Sequence, residues 1–290
     1  MLTTFVVGLR EGLEAALIVG IVAAFLNRSG RRDAIRYVWA GVLLAILACS
    51  GIAVGLWLLS SELTQQAQEL METVIGLIAV GMVTYMILWM RKHSRGLKHE
   101  LEGAVGDALA KGSAFALVGM AVLAVLREGI ESVVFLLALF RSSDVPEYAG
   151  LGAALGFLVA AVLGYGIYKG GIRLNLARFF KITGFVLVLV AAGLLMSAAH
   201  TAHSAGVLNI GQQQALDLTW LIRPGTVLES LLTGVLGLQP KPVVIEVVVW
   251  LLYLVPLGLY VLWPSGPRKA TPPKNSDPAE PAGSYERSPQ

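Results

Sequence analysis

The chain has 290 residues, of which 56% are hydrophobic and only 14% charged, and its mean hydropathy is +0.72. Soluble domains carry about 25% charged residues, so this composition excludes an ordinary soluble protein and indicates an integral membrane protein. The small formal net charge of +3 gives no reason to expect a nucleic-acid partner. The single cysteine, Cys49, excludes an intrachain disulfide and argues against a zinc–thiolate site.

Apolar runs of roughly 20 residues recur along the chain, and each is long enough to cross the hydrocarbon core as a helix. They predict an all-α integral membrane protein with seven transmembrane helices. The first and fourth runs carry charges at their centres, so hydropathy alone underestimates them. The predicted spans are 4–26, 36–59, 70–91, 113–140, 149–169, 178–199 and 243–263.

Basic residues fall in alternate loops. The loops after the first, third and fifth spans and the tail are rich in Lys and Arg, whereas the other loops hold only Arg141, Arg223 and Lys241. Cytoplasmic loops carry the excess of Lys and Arg. The amino terminus is therefore predicted outside and the carboxyl terminus in the cytoplasm, which requires an odd number of spans.

The pattern Arg-Glu-Gly-x-Glu occurs twice, in the first span and in the fourth. Each copy places one arginine and two carboxylates at membrane depth, at a cost of at least a few kcal/mol per charge. A structural ion pair within each helix is the alternative interpretation, but each motif has one carboxylate more than its arginine neutralises. The residues are Arg10, Glu11 and Glu14 in the first motif and Arg127, Glu128 and Glu131 in the second.

The two motifs lie on helices of opposite direction, three spans apart. This is typical of inverted-topology repeats related by a pseudo-two-fold axis in the membrane plane. We expect repeat one over about 4–91 and repeat two over about 113–199, with the seventh helix, 243–263, outside the repeat.

Two further segments lie outside the repeats: one completes a permease domain that spans 1–263, and the other follows this domain. Residues 200–242 are too long for a tight turn and hold two amphipathic stretches, near 212–223 and 226–237, which predict an outer cap on the membrane surface. The proline-rich residues 264–290 predict a disordered cytoplasmic tail.

Helical spacing places the charges of each motif on one face. Arg10, Glu14 and Glu11 fall at roughly 0°, 40° and 100° around the helix, and the fourth span repeats this arrangement. If the faces meet, four carboxylates and two guanidiniums converge with a formal sum of −2. Oxygen ligands favour hard cations such as Mg²⁺, Ca²⁺, Mn²⁺ or Fe³⁺ over Cu⁺ or Zn²⁺. The residues alone therefore indicate a hard-cation permease without naming the metal.

A second polar group is expected at the outer side. Glu69 and Glu72 share one face of the third span, Glu246 opens the seventh span, and His200 and His203 close the sixth. Such a group would concentrate cations at an outer vestibule. The alternatives are a solvated acidic helix end, which the helix dipole favours, and a hydrogen-bonded interfacial pair of histidines.

The two motifs resemble those of the oxidase-dependent iron permease family, and the chain is most similar to its bacterial EfeU-type branch, a relative of the fungal high-affinity iron permease. The family hallmark is an Arg-Glu-x-x-Glu motif in the first and fourth helices. The resemblance also covers 90–92, 170–175 and 246–250, and it reaches nearly everything except the tail. It implies high-affinity iron import across the cytoplasmic (inner) membrane. The implied metal ligands are Glu11, Glu14, Glu128 and Glu131, with Glu69 and Glu72 as a third acidic element.

The resemblance also implies partners. Bacterial members work with a periplasmic cupredoxin-type iron-binding protein and a haem peroxidase, and fungal members with a multicopper ferroxidase. We expect no permanently bound cofactor, an iron ion (Fe²⁺ or Fe³⁺) as the transported substrate, and lipid around the helices. Small-residue helix contacts permit a homo-oligomer without specifying one. His203 matches a histidine of the bacterial branch.

Three alternatives are weighed against this interpretation. A Mn²⁺ or Mg²⁺ secondary transporter would use the same oxygen ligands. A membrane enzyme such as a haem-bearing reductase needs paired histidines inside the bundle, yet none of the four histidines lies at mid-membrane in the predicted spans. A structural partner subunit would tolerate Glu→Gln changes. We expect a transporter and not an enzyme.

Overall fold

The computed structural model of the chain describes residues 1–28, 30–61, 63–93, 114–142, 146–169, 175–222, 226, 229, 232–233 and 236–263. The predicted tail lies outside the described residues. Within them the chain forms seven long α-helices and a short 3-10 turn, Arg32–Ala34, before the second helix. The helices are α1 (Leu2–Arg28), α2 (Ile35–Ser61), α3 (Gln65–His93), α4 (Ala114–Arg141), α5 (Pro146–Tyr168), α6 (Leu176–Ser204) and α7 (Val244–Leu262).

Each predicted span coincides with one of these helices, and no end differs by more than five residues. Five helices, α2, α3, α5, α6 and α7, are long and apolar enough to cross a membrane. The other two, α1 and α4, have 27 and 28 residues and carry the charged motifs. Their length suits a span, but their charges lower their hydropathy. That all seven helices cross, and in which direction, stays a prediction.

The helices pair in an exchanged pattern. The first helix of each predicted repeat packs on the second helix of the other, so that α1 lies along α5 and α4 lies along α2. Two further contacts join equivalent helices of the predicted repeats, α3 with α6 and α1 with α4, and α6 also packs on α7. A two-fold axis relating the repeats would exchange the α1–α5 and α4–α2 contacts and would map the α3–α6 and α1–α4 contacts onto themselves. The inverted repeats themselves stay a prediction.

Small residues allow the α1–α5 contact. The buried residues of α5 are all glycine or alanine. A Cβ added at Gly8 of α1 would lie only 2.8 Å from the carbonyl oxygen of Ala153. In lipid there is little hydrophobic force between helices, so close backbone approach and van der Waals packing hold them together. The α5 residues are Ala149, Gly152, Ala153, Gly156, Ala160 and Gly164.

The last helix is attached at its carboxyl-terminal end and along its length. The Arg91 guanidinium donates to the Trp263 carbonyl at 2.9 Å and lies 4.0 Å from the Tyr260 ring centroid. Deeper in the bundle the hydroxyls of Thr84 and Tyr253 are 2.8 Å apart. These contacts tie α7 to α3, outside the exchanged pairs.

The segment between α6 and α7 reaches into the helical bundle. The stretch near 212–223 is built of turns and extended chain up to residue 222, with a bridge between Gln214 and Val243. Farther on, Gly237 has a φ of +66° and packs against Gly193, where a Cβ would lie 2.8 Å from the Gly237 nitrogen. Gly193 lies eleven residues before the end of α6, about 16 Å along the axis at 1.5 Å per residue. Part of the segment that connects α6 to α7 therefore lies deep in the bundle, between these two helices.

Candidate metal-binding site

The charges of the first motif are buried where α1 meets α4. Arg10 Nη1 donates to Glu11 Oε1 at 3.0 Å, and Arg10 Nη2 lies 3.0 Å from Glu14 Oε1. Nη1 also lies 2.9 Å from Met86 Sδ on α3. Only 2% of the Arg10 side chain and none of the Glu11 side chain is exposed. A buried arginine thus stands between the two carboxylates of its own helix.

The second motif has the same intrahelical ion pair in a different setting. Arg127 Nε donates to Glu131 Oε1 at 3.0 Å, again four residues on. The Arg127 side chain is 53% exposed, however, and its guanidinium lies 5.9 Å from the Trp89 ring centroid. Glu128 and Glu131 are both buried. The second motif therefore buries its carboxylates and leaves its arginine at the edge.

The central glycine of each motif lets a neighbouring helix approach. A Cβ at Gly12 would lie 2.8 Å from Ala160 Cβ on α5, and a Cβ at Gly129 would lie 2.5 Å from Cys49 Sγ on α2. Helix α5 can therefore approach α1, and α2 can approach α4, because the residue between the two carboxylates of each motif has no side chain. This explains why the motifs carry glycine at their third position.

The carboxylates of the two motifs converge, so the condition that the two charged helix faces meet is fulfilled. One oxygen each of Glu11, Glu128 and Glu131 lies within 4.8 Å of the other two. Glu14 remains paired with Arg10, and it is near enough to interact electrostatically with Glu131. The group therefore has three carboxylates that face one another and a fourth beside them.

Three buried oxygens of this group have no hydrogen-bond partner within the part of the chain that the structure describes. One is Glu14 Oε1, which lies 3.0 Å from Arg10 Nη2 in the ion pair. The other two are the second oxygens of Glu11 and Glu128. A buried acceptor without a partner is costly, and it is more so when it is charged. A bound cation would satisfy both oxygens and offset the formal charge of −2 that four carboxylates and two guanidiniums leave. The ligand set is entirely oxygen and suits a hard or borderline divalent ion.

The outer acidic residues lie at the beginning of α3, but they do different things. Glu69 Oε1 accepts a hydrogen bond from Gln65 at 3.3 Å, while Glu72 pairs with Arg141 at the end of α4, also at 3.3 Å. The residue missed by the sequence reasoning is Arg141. Its only signal was that it is one of three basic residues in the outer loops, which did not reveal its partner.

The residues predicted for an outer vestibule each have a local partner. Glu246 accepts from His200 Nδ1 at 2.9 Å and from the Val243 amide at 3.0 Å, which caps the first turn of α7. His203 Nδ1 lies 2.8 Å from the Leu208 carbonyl. Both oxygens of Glu246 are thus engaged, one in holding α7 to α6 and the other in capping α7. A role for Glu246 or His203 in cation entry stays a prediction.

Helices that suit a membrane, with carboxylates gathered at their centre, define a multi-pass membrane transport protein. The profile of the family described as Iron permease FTR1 matches residues 1–265. A protein named ferrous iron permease EfeU from Escherichia coli O6:K15:H31 is 45% identical over 267 residues, which cover 91% of this chain and 96% of that protein. A protein of the same name from Yersinia pestis is 44% identical over 267 residues, with coverage of 91% and 94%.

The chain therefore belongs to the iron permease FTR1 family. It is a multi-pass protein of the cytoplasmic membrane, and membership of a permease family indicates a transporter and not an enzyme. A relative from Escherichia coli strain K12 that is named a putative inactive ferrous iron permease is 45% identical over 258 residues, covering 88% of this chain and 93% of that protein. Overall identity alone thus does not establish transport. No solved structure matches the chain.

Proposed function

We propose that the protein imports iron into the cell, and that the ion passes through the carboxylates of Glu11, Glu14, Glu128 and Glu131. The observation that carries the proposal is the convergence of Glu11, Glu128 and Glu131 within 4.8 Å at the crossing of α1 and α4. Paired arginines keep the empty site from carrying four uncompensated negative charges. Family membership supplies the metal, since the relatives are named for iron.

The charge of the site suits iron in either oxidation state, and the names of the relatives favour the ferrous ion. All six charges of the motifs sum to −2, which a divalent ion neutralises. Without the half-exposed Arg127, the buried charges sum to −3, which a trivalent ion would neutralise. Mn²⁺ and Mg²⁺ carry the same charge as Fe²⁺ and would suit the same ligands. Competition between metals in an uptake assay distinguishes an iron transporter from a Mn²⁺ or Mg²⁺ transporter.

The direction of transport follows from the predicted topology and the membrane potential. With the amino terminus outside, the beginning of α3 with Glu69 and Glu72 faces the outer side and receives the ion first. A divalent cation that moves inward gains about 4.6 kcal/mol from 100 mV, at about 2.3 kcal/mol per charge. Rocking of the two repeats about the carboxylates would then release the ion inside. A periplasmic iron-binding protein of cupredoxin type and a haem peroxidase or other ferroxidase are the partners that we propose for delivery.

Radiolabelled iron uptake tests the proposal in cells that lack other iron importers. We compare the wild type with Glu128→Gln and Glu131→Gln at matched amounts of protein in the membrane. Loss of one charged ligand is expected to lower uptake at limiting iron by at least about tenfold, the scale on which metal sites respond to altered ligand shells. Excess Mn²⁺ should leave wild-type uptake unchanged.

The matched control is Glu147→Gln, which removes an exposed carboxylate from the first turn of α5, away from the site. It should transport like the wild type. Normal uptake in Glu128→Gln and Glu131→Gln would show that the charges of the motifs are structural and do not carry the ion. Uptake that Mn²⁺ suppresses as well as unlabelled iron does would favour a general divalent-cation transporter.

A further inference from the structure

The Glu72–Arg141 ion pair lines a pocket at the outer ends of α3, α4 and α6. The pocket has a volume of about 20 Å³, enough for a water molecule. Glu72 Oε1 and Arg141 Nη1 are 3.3 Å apart, and about a quarter of each side chain is exposed. The remaining lining includes polar Ser142, Ser197 and Thr201 among small apolar residues. A small pocket with a partly exposed ion pair and three hydroxyl groups in its lining therefore lies at the predicted outer side.

On α3, one stripe of residues leads from this pocket to the buried carboxylates. Glu72, Gly76, Ala79, Val83 and Met86 follow the spacing of four, three, four and three residues that keeps side chains on one helix face. The stripe begins at the ion pair and ends at Met86, whose sulfur touches Arg10. At 1.5 Å per residue it is about 21 Å long.

On α4, a matching stripe leads to the same place. Glu131, Phe135, Ala138 and Ser142 share one face by the same spacing. Ala138 and Ser142 line the pocket, and Glu131 belongs to the converging carboxylates. The pocket thus stands above the carboxylates on the same faces of α3 and α4.

Between the two lies a dry layer. Ala79, Val83, Phe135 and Leu194 are all buried and belong to one apolar core. A hydrated cation cannot cross such a layer without separation of the helices, because its hydration shell would have to be given up. The structure is therefore closed on this side, and α3 and α4 must part for the pocket to open toward the carboxylates.

We propose that Arg141 is a gating residue, and that its ion pair with Glu72 latches α3 to α4 and keeps the outer entrance closed. The inference rests on the proposed function, because it takes the buried carboxylates as the destination of the ion. A cation that binds Glu72 competes with Arg141 for the same oxygens. Arrival of the transported ion would then break the latch and free α3 to move from α4.

A thiol reporter in the pocket tests the latch without iron. Cys49→Ala removes the only cysteine, and Ser197→Cys places a nearly isosteric thiol in the pocket lining. Intact cells in iron-free medium are treated with membrane-impermeant thiosulfonates, and the rate of labelling is measured. Labelling of the denatured protein gives the amount of reporter present.

Arg141→Gln in this background is expected to raise the labelling rate about two- to fivefold, the range that a partly exposed ion pair contributes to an equilibrium. Glu72→Gln should also raise the rate, and the double variant should be no faster than Arg141→Gln alone, because both changes remove the same ion pair. Arg141→Lys should stay near the parental rate. Lys241→Gln, which removes an exposed positive charge from the segment between α6 and α7, is the matched control and should change nothing.

Reagents of opposite charge separate opening from a change in local potential. Opening accelerates labelling by both, whereas mere loss of a positive charge accelerates the cationic reagent and slows the anionic one. Equal rates in the parent and Arg141→Gln, or opposite responses of the two reagents, would overturn the latch. Since no iron moves in this assay, such a result would leave transport through the carboxylates standing. Uptake by Glu128→Gln tests that pathway separately.

Discussion

Arg10 and Arg127 occupy the same position in the two motifs, and each lies 3.0 Å from the carboxylate four residues on, yet only 2% of the Arg10 side chain is exposed against 53% of Arg127. The repeat in sequence is therefore not matched by equal burial. Arg10 is enclosed by Glu11, Glu14 and Met86, while Arg127 lies at the edge of α4 beside Trp89. The two arginines should differ in what their removal costs.

We predict that Arg10→Gln lowers the free energy of unfolding by about 3–5 kcal/mol, because it leaves buried carboxylates without their cation. Arg127→Gln should cost less, about 1–3 kcal/mol, because its half-exposed guanidinium satisfies a single oxygen of the buried Glu131. Unfolding of the purified protein in detergent, followed by heat or denaturant, measures both. Arg31→Gln, at an exposed position before α2, is the control. Equal losses for Arg10 and Arg127 would contradict the difference in burial.

The contact between Gly129 and Cys49 predicts a rescue. Gly129→Ala places a methyl group 2.5 Å from Cys49 Sγ, and such overpacking costs about 1–3 kcal/mol of stability. Cys49→Ala removes the sulfur and leaves the two Cβ atoms about 3.4 Å apart, an ordinary contact. The double variant should therefore regain most of the stability that Gly129→Ala loses.

A double-mutant cycle on the unfolding free energy measures this coupling. Gly20→Ala in α1 is the matched control, since no atom lies within 4 Å of a Cβ added there. It should be neutral or slightly stabilising, because alanine favours helix over glycine by about 1 kcal/mol. If Gly129→Ala is equally damaging with and without the sulfur, the close approach of α2 and α4 is wrong.

Metal binding at the carboxylates should stabilise the folded protein. Ferrous iron, held reduced in anaerobic buffer, is expected to add about 2.7 kcal/mol at a concentration one hundred times its dissociation constant. The rise in unfolding temperature should shrink strongly in Glu11→Gln and vanish when a chelator is added. Glu147→Gln should keep the full rise. An equal rise in Glu11→Gln and the wild type would place the binding elsewhere.

Glu246 should matter for stability and little for iron affinity. Its oxygens accept from His200 and from the Val243 amide, so Glu246→Ala leaves a helix end uncapped and is expected to cost about 1–3 kcal/mol. The concentration of iron that gives half-maximal uptake should stay the same, with the maximal rate scaling with the amount of folded protein. If the iron concentration that gives half-maximal uptake instead rises tenfold while the variant folds normally, Glu246 lies on the path of the ion.

Much of this architecture could be predicted from the sequence, because lipid imposes a length and a hydropathy on every helix. All seven helices lie where the apolar runs predict them. The facing of charges within each motif follows from 3.6 residues per turn. Their meeting also requires that α1 and α4 pack against each other, which the spacing alone does not decide.

What could not be predicted depends on which helix packs against which. The Glu72–Arg141 pair joins residues 69 positions apart, and nothing local in either neighbourhood shows it. Arg10 is covered by Met86 of α3, whereas Arg127 lies at the edge of α4. This difference in burial is set by tertiary packing. The contact between Gly237 and Gly193 likewise requires two glycines from different segments to meet, which periodicity does not reveal.

The exchanged pairing of helices bears on how the protein is made. Because α1 packs on α5, about 140 residues must be synthesised after α1 before its partner is complete, roughly 7–30 s at about 5–20 residues per second. During this wait α1 holds three charges in the bilayer, and Arg10 neutralises much of that charge within the same helix. A chain that stops after α3 should therefore insert but be degraded as an orphan, and co-expression of the missing half should restore it. The intrahelical ion pairs are thus expected to lower the cost of inserting α1 before its partner helix is made.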